Sequence, residues 1–252
     1  MNISKHSNNI SSKFGFKDGC KNRRSFILII HAASFKNFFT FLIISLSAFV
    51  SKAQTEADFR KTLHDRSVKI VNTLELNDSG KYNDVVDLLA DQYFNLNKVH
   101  DKTKESIAAI NSLQLAGEEK SSRIKIEEEK KAFQLSELHK GLIAKLQKTL
   151  TGEQIEKIKD GMTYRVMPVT YTAYQDMIPT LTPEQKEKIH DWLKEARELA
   201  MDEGSSEDKH KVFGKYKGRI NNYLSTQGYD MKAEEKGWQQ RIKEREAAKK
   251  SG

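Results

Sequence analysis

The chain carries only three prolines, Pro168, Pro179 and Pro183, and all fall between positions 168 and 183. Everywhere else each residue keeps its backbone amide donor, and strictly alternating apolar and polar runs are nearly absent. A pattern without proline breaks or two-residue alternation points to helix throughout.

Apolar residues at helical spacing divide the chain. A first helix is expected over Glu56–Leu76, with Phe59, Leu63, Ile70, Val71 and Leu74 on one face, and Asn77-Asp78-Ser79-Gly80 to end it. A second, Lys81–Leu113, is apolar early (Val85, Val86, Leu89, Tyr93, Phe94, Leu96, Val99) and polar late. After a reversal at Gly117, a third, Glu118–Leu150, is charged early and apolar late. Their polar halves meet at the reversal, so the pair reads as an antiparallel hairpin with a solvated tip and a base in the core.

Two stretches repeat one pattern, Leu150-Thr-Gly-Glu-Gln154 and Leu181-Thr-Pro-Glu-Gln185. In each, Thr151 or Thr182 can accept from the backbone three residues on while the glutamine reaches back, a capping box that starts a helix. Pro183 falls at the first helical position, where its missing N–H costs nothing. Between the boxes, Thr163–Thr180 holds Pro168, Pro179 and three tyrosines and reads as the least helical stretch. Helices then follow over Pro183–Glu203, Glu207–Leu224 and Lys232–Ala247. The first shows an acidic stripe (Asp191, Glu195, Glu198, Asp202) and the second a basic one (Lys211, Lys215, Arg219), which suggests an antiparallel pair. Gly214 and Gly218 lie one turn apart inside a helix, so a neighbouring helix, or second a ligand, is expected to approach their face. The fold class is all-α: a single helical domain in which a long antiparallel hairpin packs on a C-terminal helical bundle.

Net charge is +8, from 43 basic and 35 acidic residues. Eight of those basic residues and one acid precede Gln54, which leaves 35 against 34 and removes the case for a nucleic-acid partner. Residues 1–53 read as a signal peptide with an N-terminal extension. Phe38–Val50 is a thirteen-residue apolar run after Lys36, and Ser51 and Ala53 are the small residues that cleavage before Gln54 requires. The run alone is too short to span a bilayer, and a longer anchor over Phe26–Val50 would hold Lys36 and Asn37 in its middle. No membrane attachment is expected after cleavage, and the product, 54–252, is expected in the periplasm or outside the cell. Cys20, the one cysteine, precedes the cut, so no disulfide or thiol chemistry is expected downstream.

No HExxH, GxSxG, phosphate-loop or dinucleotide glycine pattern occurs, and no cofactor or metal is implied. Three histidines precede an aspartate (His64-Asp65, His100-Asp101, His190-Asp191), but nothing sets further ligands at a recognisable spacing. The sharper signal is aromatic asymmetry: five rings between Phe59 and Asp160, nine between Gly161 and Gln240. Rings with polar edges suit sugars. Trp192, Phe213 and Tyr216 fall on apolar stripes and read as core. Tyr171 and Tyr174, with Lys215, Arg219 and Asn222, form the candidate ligand surface, and the two cations favour uronate-containing glycans such as pectin fragments. The competing reading pairs those cations with Asp191, Glu195 and Glu198.

The runs Tyr174–Gln185, Lys194–Asp202, Gly204-Ser-Ser206, Phe213–Leu224 and Gly228-Tyr-Asp230, with Lys69–Leu74 and Leu96–Asp101 upstream, resemble a family of secreted Bacteroidetes proteins, the domain of unknown function 3826. The resemblance implies export, encoding near polysaccharide-degrading systems and a supposed sugar-binding role, and brings no catalytic residues. The two capping boxes are also similar to those of small Spy-type periplasmic chaperones. The expected function is therefore a non-enzymatic oligosaccharide-binding protein, with a chaperone for unfolded envelope proteins and a small glycan-active enzyme as alternatives.

Overall fold

The computed structural model describes residues 56–250, so the expected signal segment and its cleavage point lie outside the described residues. The fold is all-α. Helix α1 occupies 56–71 and runs into a 3-10 turn at Asn72–Leu74. It is followed by α2 (Ser79–Ser112), α3 (Gly117–Leu146), α4 (Gly152–Met162), α5 (Val166–Met177), α6 (Pro183–Met201), α7 (Ser206–Thr226) and α8 (Met231–Lys250). No strand occurs among the described residues, and no helix there is long and apolar enough to cross a membrane.

The α2–α3 hairpin has the expected form. Asp78 caps α2 by accepting from the Lys81 amide (3.0 Å), and helices of 34 and 30 residues reach roughly 50 and 45 Å. Beyond Thr103 no side chain of α2 is buried, and in α3 only Leu142 and Leu146 are, so the hairpin is dry at its base and wet at its tip. The base joins Leu63, Ile70 and Val71 of α1 and Ile155, Ile158 and Met162 of α4 in one apolar cluster. A second cluster gathers Met167 and Tyr174 of α5, Ile189, Leu193, Ala196 and Ala200 of α6, and Phe213, Tyr216, Ile220 and Leu224 of α7. Helix α6 serves both, because Met201 at its end reaches into the first cluster.

Both capping boxes form. Thr151 accepts from the Gln154 amide and Thr182 from the Gln185 amide, each at 3.3 Å, and each glutamine returns the bond to the cap residue's N–H. The stretch expected to be least helical is a correction: most of it is α5. Pro168 is its third residue, within the first turn, where no amide has an intrahelical acceptor to lose, and Pro179 falls after its end.

Helix α8 buries no residue and is held by polar contacts with the end of α5. Trp238 Nε1 donates to Asp176 (2.7 Å), Arg245 grips the same carboxylate through two nitrogens (2.7 and 3.0 Å), and Arg241 donates to the Asp176 and Met177 carbonyls (2.9 Å each).

Candidate functional site

Helices α6 and α7 run antiparallel, and their outer flank carries an aromatic platform. The Trp192 and Tyr223 rings meet edge to face, with centroids 5.3 Å apart and planes at 89°. Lys188 lies 4.9 Å from the Tyr223 centroid and 5.4 Å from that of Trp192, and the Arg219 guanidinium lies 4.5 Å from Trp192. Within each helix the cation and ring are four residues apart, which places Lys188 beside Trp192 and Arg219 beside Tyr223. Glu195 lies 3.5 Å from Arg219. Burial and the Glu195 carboxylate push the Tyr216 hydroxyl up to about 12, so it stays a neutral donor. Half-buried rings, two cations, a carboxylate and a phenol together can cover a sugar's C–H face and bond its polar edge.

The five residues expected to form a ligand surface are not brought together. Tyr174 is 5 % exposed, and its hydroxyl donates to Asn221 Oδ1 at 2.7 Å and reaches the Lys217 carbonyl at 3.3 Å. Tyr171 is half-buried with its ring edge-on to His190 (5.3 Å). Residues two apart on a helix point about 200° apart. Lys217, which meets Tyr174, and Arg219, which meets Trp192, are such a pair, and so are His190 and Trp192. Tyr171 and Tyr174 thus lie on one flank of the α6–α7 pair and Arg219 on the other. Lys215 and Asn222 are exposed.

The stripe-to-stripe pairing holds only for Glu195 and Arg219. Lys211 pairs within its own helix with Glu207 (2.8 Å) and Asp208 (3.1 Å), and Glu198 turns to α3 and α4. Gly214 and Gly218 are a further correction. A side chain at either would meet no atom within 4 Å, since both lie on the solvent side of α7, opposite Phe213 and Ile220.

The apolar stripe of α6 reads Trp192 as core, and Lys188 carries no signal of its own there. The signal that could have found them is the repeated cation-to-ring spacing of four on two consecutive helices.

A charged joint sits where α6 ends. Arg197, 2 % exposed, pairs with Glu156, with Asp160 (2.6 Å) and with Glu198 (3.4 Å). Glu198 also takes Lys159 (2.9 Å) and His139 Nε2 (3.4 Å), while His139 Nδ1 meets Asp202 at 3.0 Å. Hydrogen bonds to Asp202 and Glu198 raise His139 to about 9, so it is a cation at neutral pH. Burial opposes ionisation of Glu198, but His139 and Lys159 hold it down to about 2. Lys209 is buried, donates to the Ala200 and Met201 carbonyls (2.7 and 3.1 Å), and is lowered by that burial to about 8. His100 Nε2 donates to the Asp202 carbonyl (2.8 Å). Side-chain donors from α2, α3 and α7 therefore converge on the negative end of α6.

The three His-Asp pairs stay local: His64 and His190 lie 3.9 and 3.8 Å from their own neighbours, and His100 serves the α6 terminus. Among the described residues no three His, Cys, Asp or Glu side chains are grouped to hold a metal ion. A cavity of about 480 Å³ opens between the hairpin and the start of α7, edged by Lys104, Glu128, Lys131 and Asp208 and without an aromatic wall.

Fold and site together define a class: an all-α protein of a long helical hairpin joined to helices α5–α8, with an aromatic, cation-edged face on the α6–α7 pair. The chain belongs to DUF3826, a family of proteins of unknown function whose model matches residues 60–244. That interval takes in both capping boxes, the charged joint and the aromatic face. No curated protein matches the chain.

Proposed function

We propose that the chain is an exported, non-enzymatic helical protein that binds acidic oligosaccharide of the pectin type. One observation carries the reading: Trp192 and Tyr223 form a half-buried aromatic pair with Lys188 over both rings and the Arg219 guanidinium over Trp192. A guanidinium pairs well with a uronate carboxylate, and an aromatic face covers a pyranose ring. Export rests on the apolar run Phe38–Val50 and the small residues Ser51 and Ala53. An intact mass of the envelope protein beginning at Gln54 is expected, and a mass that retains the run overturns export.

The test of binding is a calorimetric titration with oligogalacturonides beside a melting curve. Arg219→Ala should weaken binding about tenfold or more with little change in melting temperature, because its pair with Glu195 is exposed on both sides and contributes little to stability. Intact affinity with lost stability sinks the reading.

A chaperone for unfolded envelope proteins calls for a contiguous exposed apolar face. The large exposed apolar side chains here, including Phe59, Leu113, Phe133, Val169 and Leu199, are spread from α1 to α6, which favours the sugar reading.

A further inference from the structure

The turn between α4 and α5 closes α4 with a Schellman cap. The Arg165 amide donates to the Asp160 carbonyl (2.7 Å) and the Tyr164 amide to that of Gly161 (3.3 Å). Such a cap needs a left-handed residue just past the helix, a place where glycine is strain-free. This chain puts Tyr164 there (φ 56°) and follows it with Arg165, also left-handed (φ 57°). Both side chains are exposed. Two adjacent non-glycine residues held in this region are a local expense that the cap itself does not require. What distinguishes them from glycine is the ring and the guanidinium.

The ring has a setting. Tyr164 lies near-parallel to His210 of α7, with centroids 5.9 Å apart at 30°. His210 Nδ1 donates to the Ser206 carbonyl (2.7 Å), which leaves Nε2 for another partner. Tyr93 of α2 is 4 % exposed, yet its hydroxyl has no hydrogen-bond partner among the described residues. It is not among the sealed, unpaired side-chain atoms there, which are Gln92 Nε2 and Arg197 Nε, so the phenol reaches the surface. Burial raises Tyr93 well beyond the usual phenol range, and its hydroxyl feels the charges of both Arg66 and Tyr164. The Arg66 guanidinium stands 5.2 Å from the Tyr93 ring, and neither Arg66 nor Arg165 has a carboxylate partner among the described residues. A phenol that reaches the surface, a strained exposed ring and the Arg66 guanidinium thus lie around one junction of α1, α2, α7 and the α4–α5 turn.

We propose that Tyr93, Tyr164 and His210, flanked by Arg66, form a second glycan site that takes a hexuronate residue. The Tyr164 ring covers the sugar's C–H face, the Arg66 guanidinium takes the carboxylate, and the Tyr93 phenol donates to a ring hydroxyl or oxygen. The ligand class rests on the carbohydrate reading above, but the site shares no residue with the α6–α7 platform.

The test uses galacturonate and trigalacturonate as probes, with galactose as the neutral control, on the full protein and on Tyr164→Gly, Arg66→Gln and Trp192→Ala. Trp192→Ala should leave this site intact. Glycine relieves the left-handed strain, so Tyr164→Gly should melt higher while, in the Trp192→Ala background, binding galacturonate at least tenfold more weakly, and in that background Arg66→Gln should lose the preference for galacturonate over galactose. A lower melting temperature in Tyr164→Gly means that the ring serves packing, and this overturns the proposal, as does galacturonate binding left unchanged by Tyr164→Gly in the Trp192→Ala background. Galacturonate binding lost only in Trp192→Ala overturns the second site and leaves the α6–α7 reading standing. Binding lost only in Tyr164→Gly does the reverse.

Discussion

Single side chains in this protein are legible to different depths. Gly214 and Gly218 are visible in the sequence as a helix weakness that a close neighbour would explain, but only the packing shows that their face is open. Alanine is better than glycine in a helix by about 1 kcal/mol, and nothing here obstructs a methyl group. Gly214→Ala and Gly218→Ala should therefore each stabilise by about 0.5–1 kcal/mol in chemical denaturation. Gly161 is the contrast, because a Cβ there would stand 2.8 Å from Ile70, and its alanine variant should destabilise. Unchanged or lower stability in both solvent-facing variants would mean that another surface covers that face in solution. The aromatic residues show the opposite limit. Trp192 lies on the stripe with Ile189 and Ala196, and periodicity cannot tell a core ring from one at the rim, since the two differ by part of a turn. Tyr174 failed as a surface residue because Asn221, which accepts its hydroxyl, lies 47 positions away in the chain.

At the scale of elements, helices with strong punctuation were legible. The capping boxes at Thr151 and Thr182 and the break at Asn77–Gly80 place starts and ends within a few residues, because those signals act on the backbone next to them. Helix α5 was not legible, since two prolines and three tyrosines read as a loop until tertiary packing of Met167 and Tyr174 is counted. Helix α8 was legible as a helix, but its attachment was not, because its partners, the Asp176 carboxylate and the Asp176 and Met177 carbonyls, lie 62 to 69 positions away in the chain. Hydrogen bonds from Arg245 and Trp238 hold Asp176 down to about 2, below the ordinary 3.8. A carboxyl lowered in the folded state contributes above 3.8 and loses that contribution as pH falls toward 2. Asp176→Asn should therefore loosen the Trp238 and Arg245 end of the attachment at neutral pH, seen as a red shift of Trp238 emission in a Trp192→Phe background, with the main melting transition little changed. The unsubstituted Asp176 form in that background should show the same shift only near pH 2. Identical emission from the Asn variant and its parent would place the anchor of α8 elsewhere.

The whole molecule depends on how its two apolar clusters are held together, and the polar part of that junction is the set of ion pairs at the end of α6. Arg197 and Lys159 tie α6 to α4, His139 ties it to α3, His100 to α2, and Lys209 ties the start of α7 to the carbonyls where α6 stops. Two of these groups titrate in opposite senses within reach of ordinary buffers. His139 is raised from 6.5 to about 9 by its bonds to Asp202 and Glu198, so the folded state holds a proton that the unfolded chain has released. Its contribution is complete below pH 6.5 and is lost as pH rises through about 9. Lys209 is lowered by burial from 10.5 to about 8, so between those values the unfolded chain binds more protons and stability rises with pH. The two windows overlap only above pH 8. Melting temperature should thus fall from pH 6.5 to 8 through His139 alone, then flatten between 8 and 9 as Lys209 offsets it. His139→Gln should remove the fall, and Lys209→Met should let the fall continue to pH 9. Parallel melting profiles for the parent and His139→Gln across pH 6.5–8 would mean that the joint is not held by the imidazolium, and that apolar packing through Met201 alone couples the hairpin to the C-terminal helices.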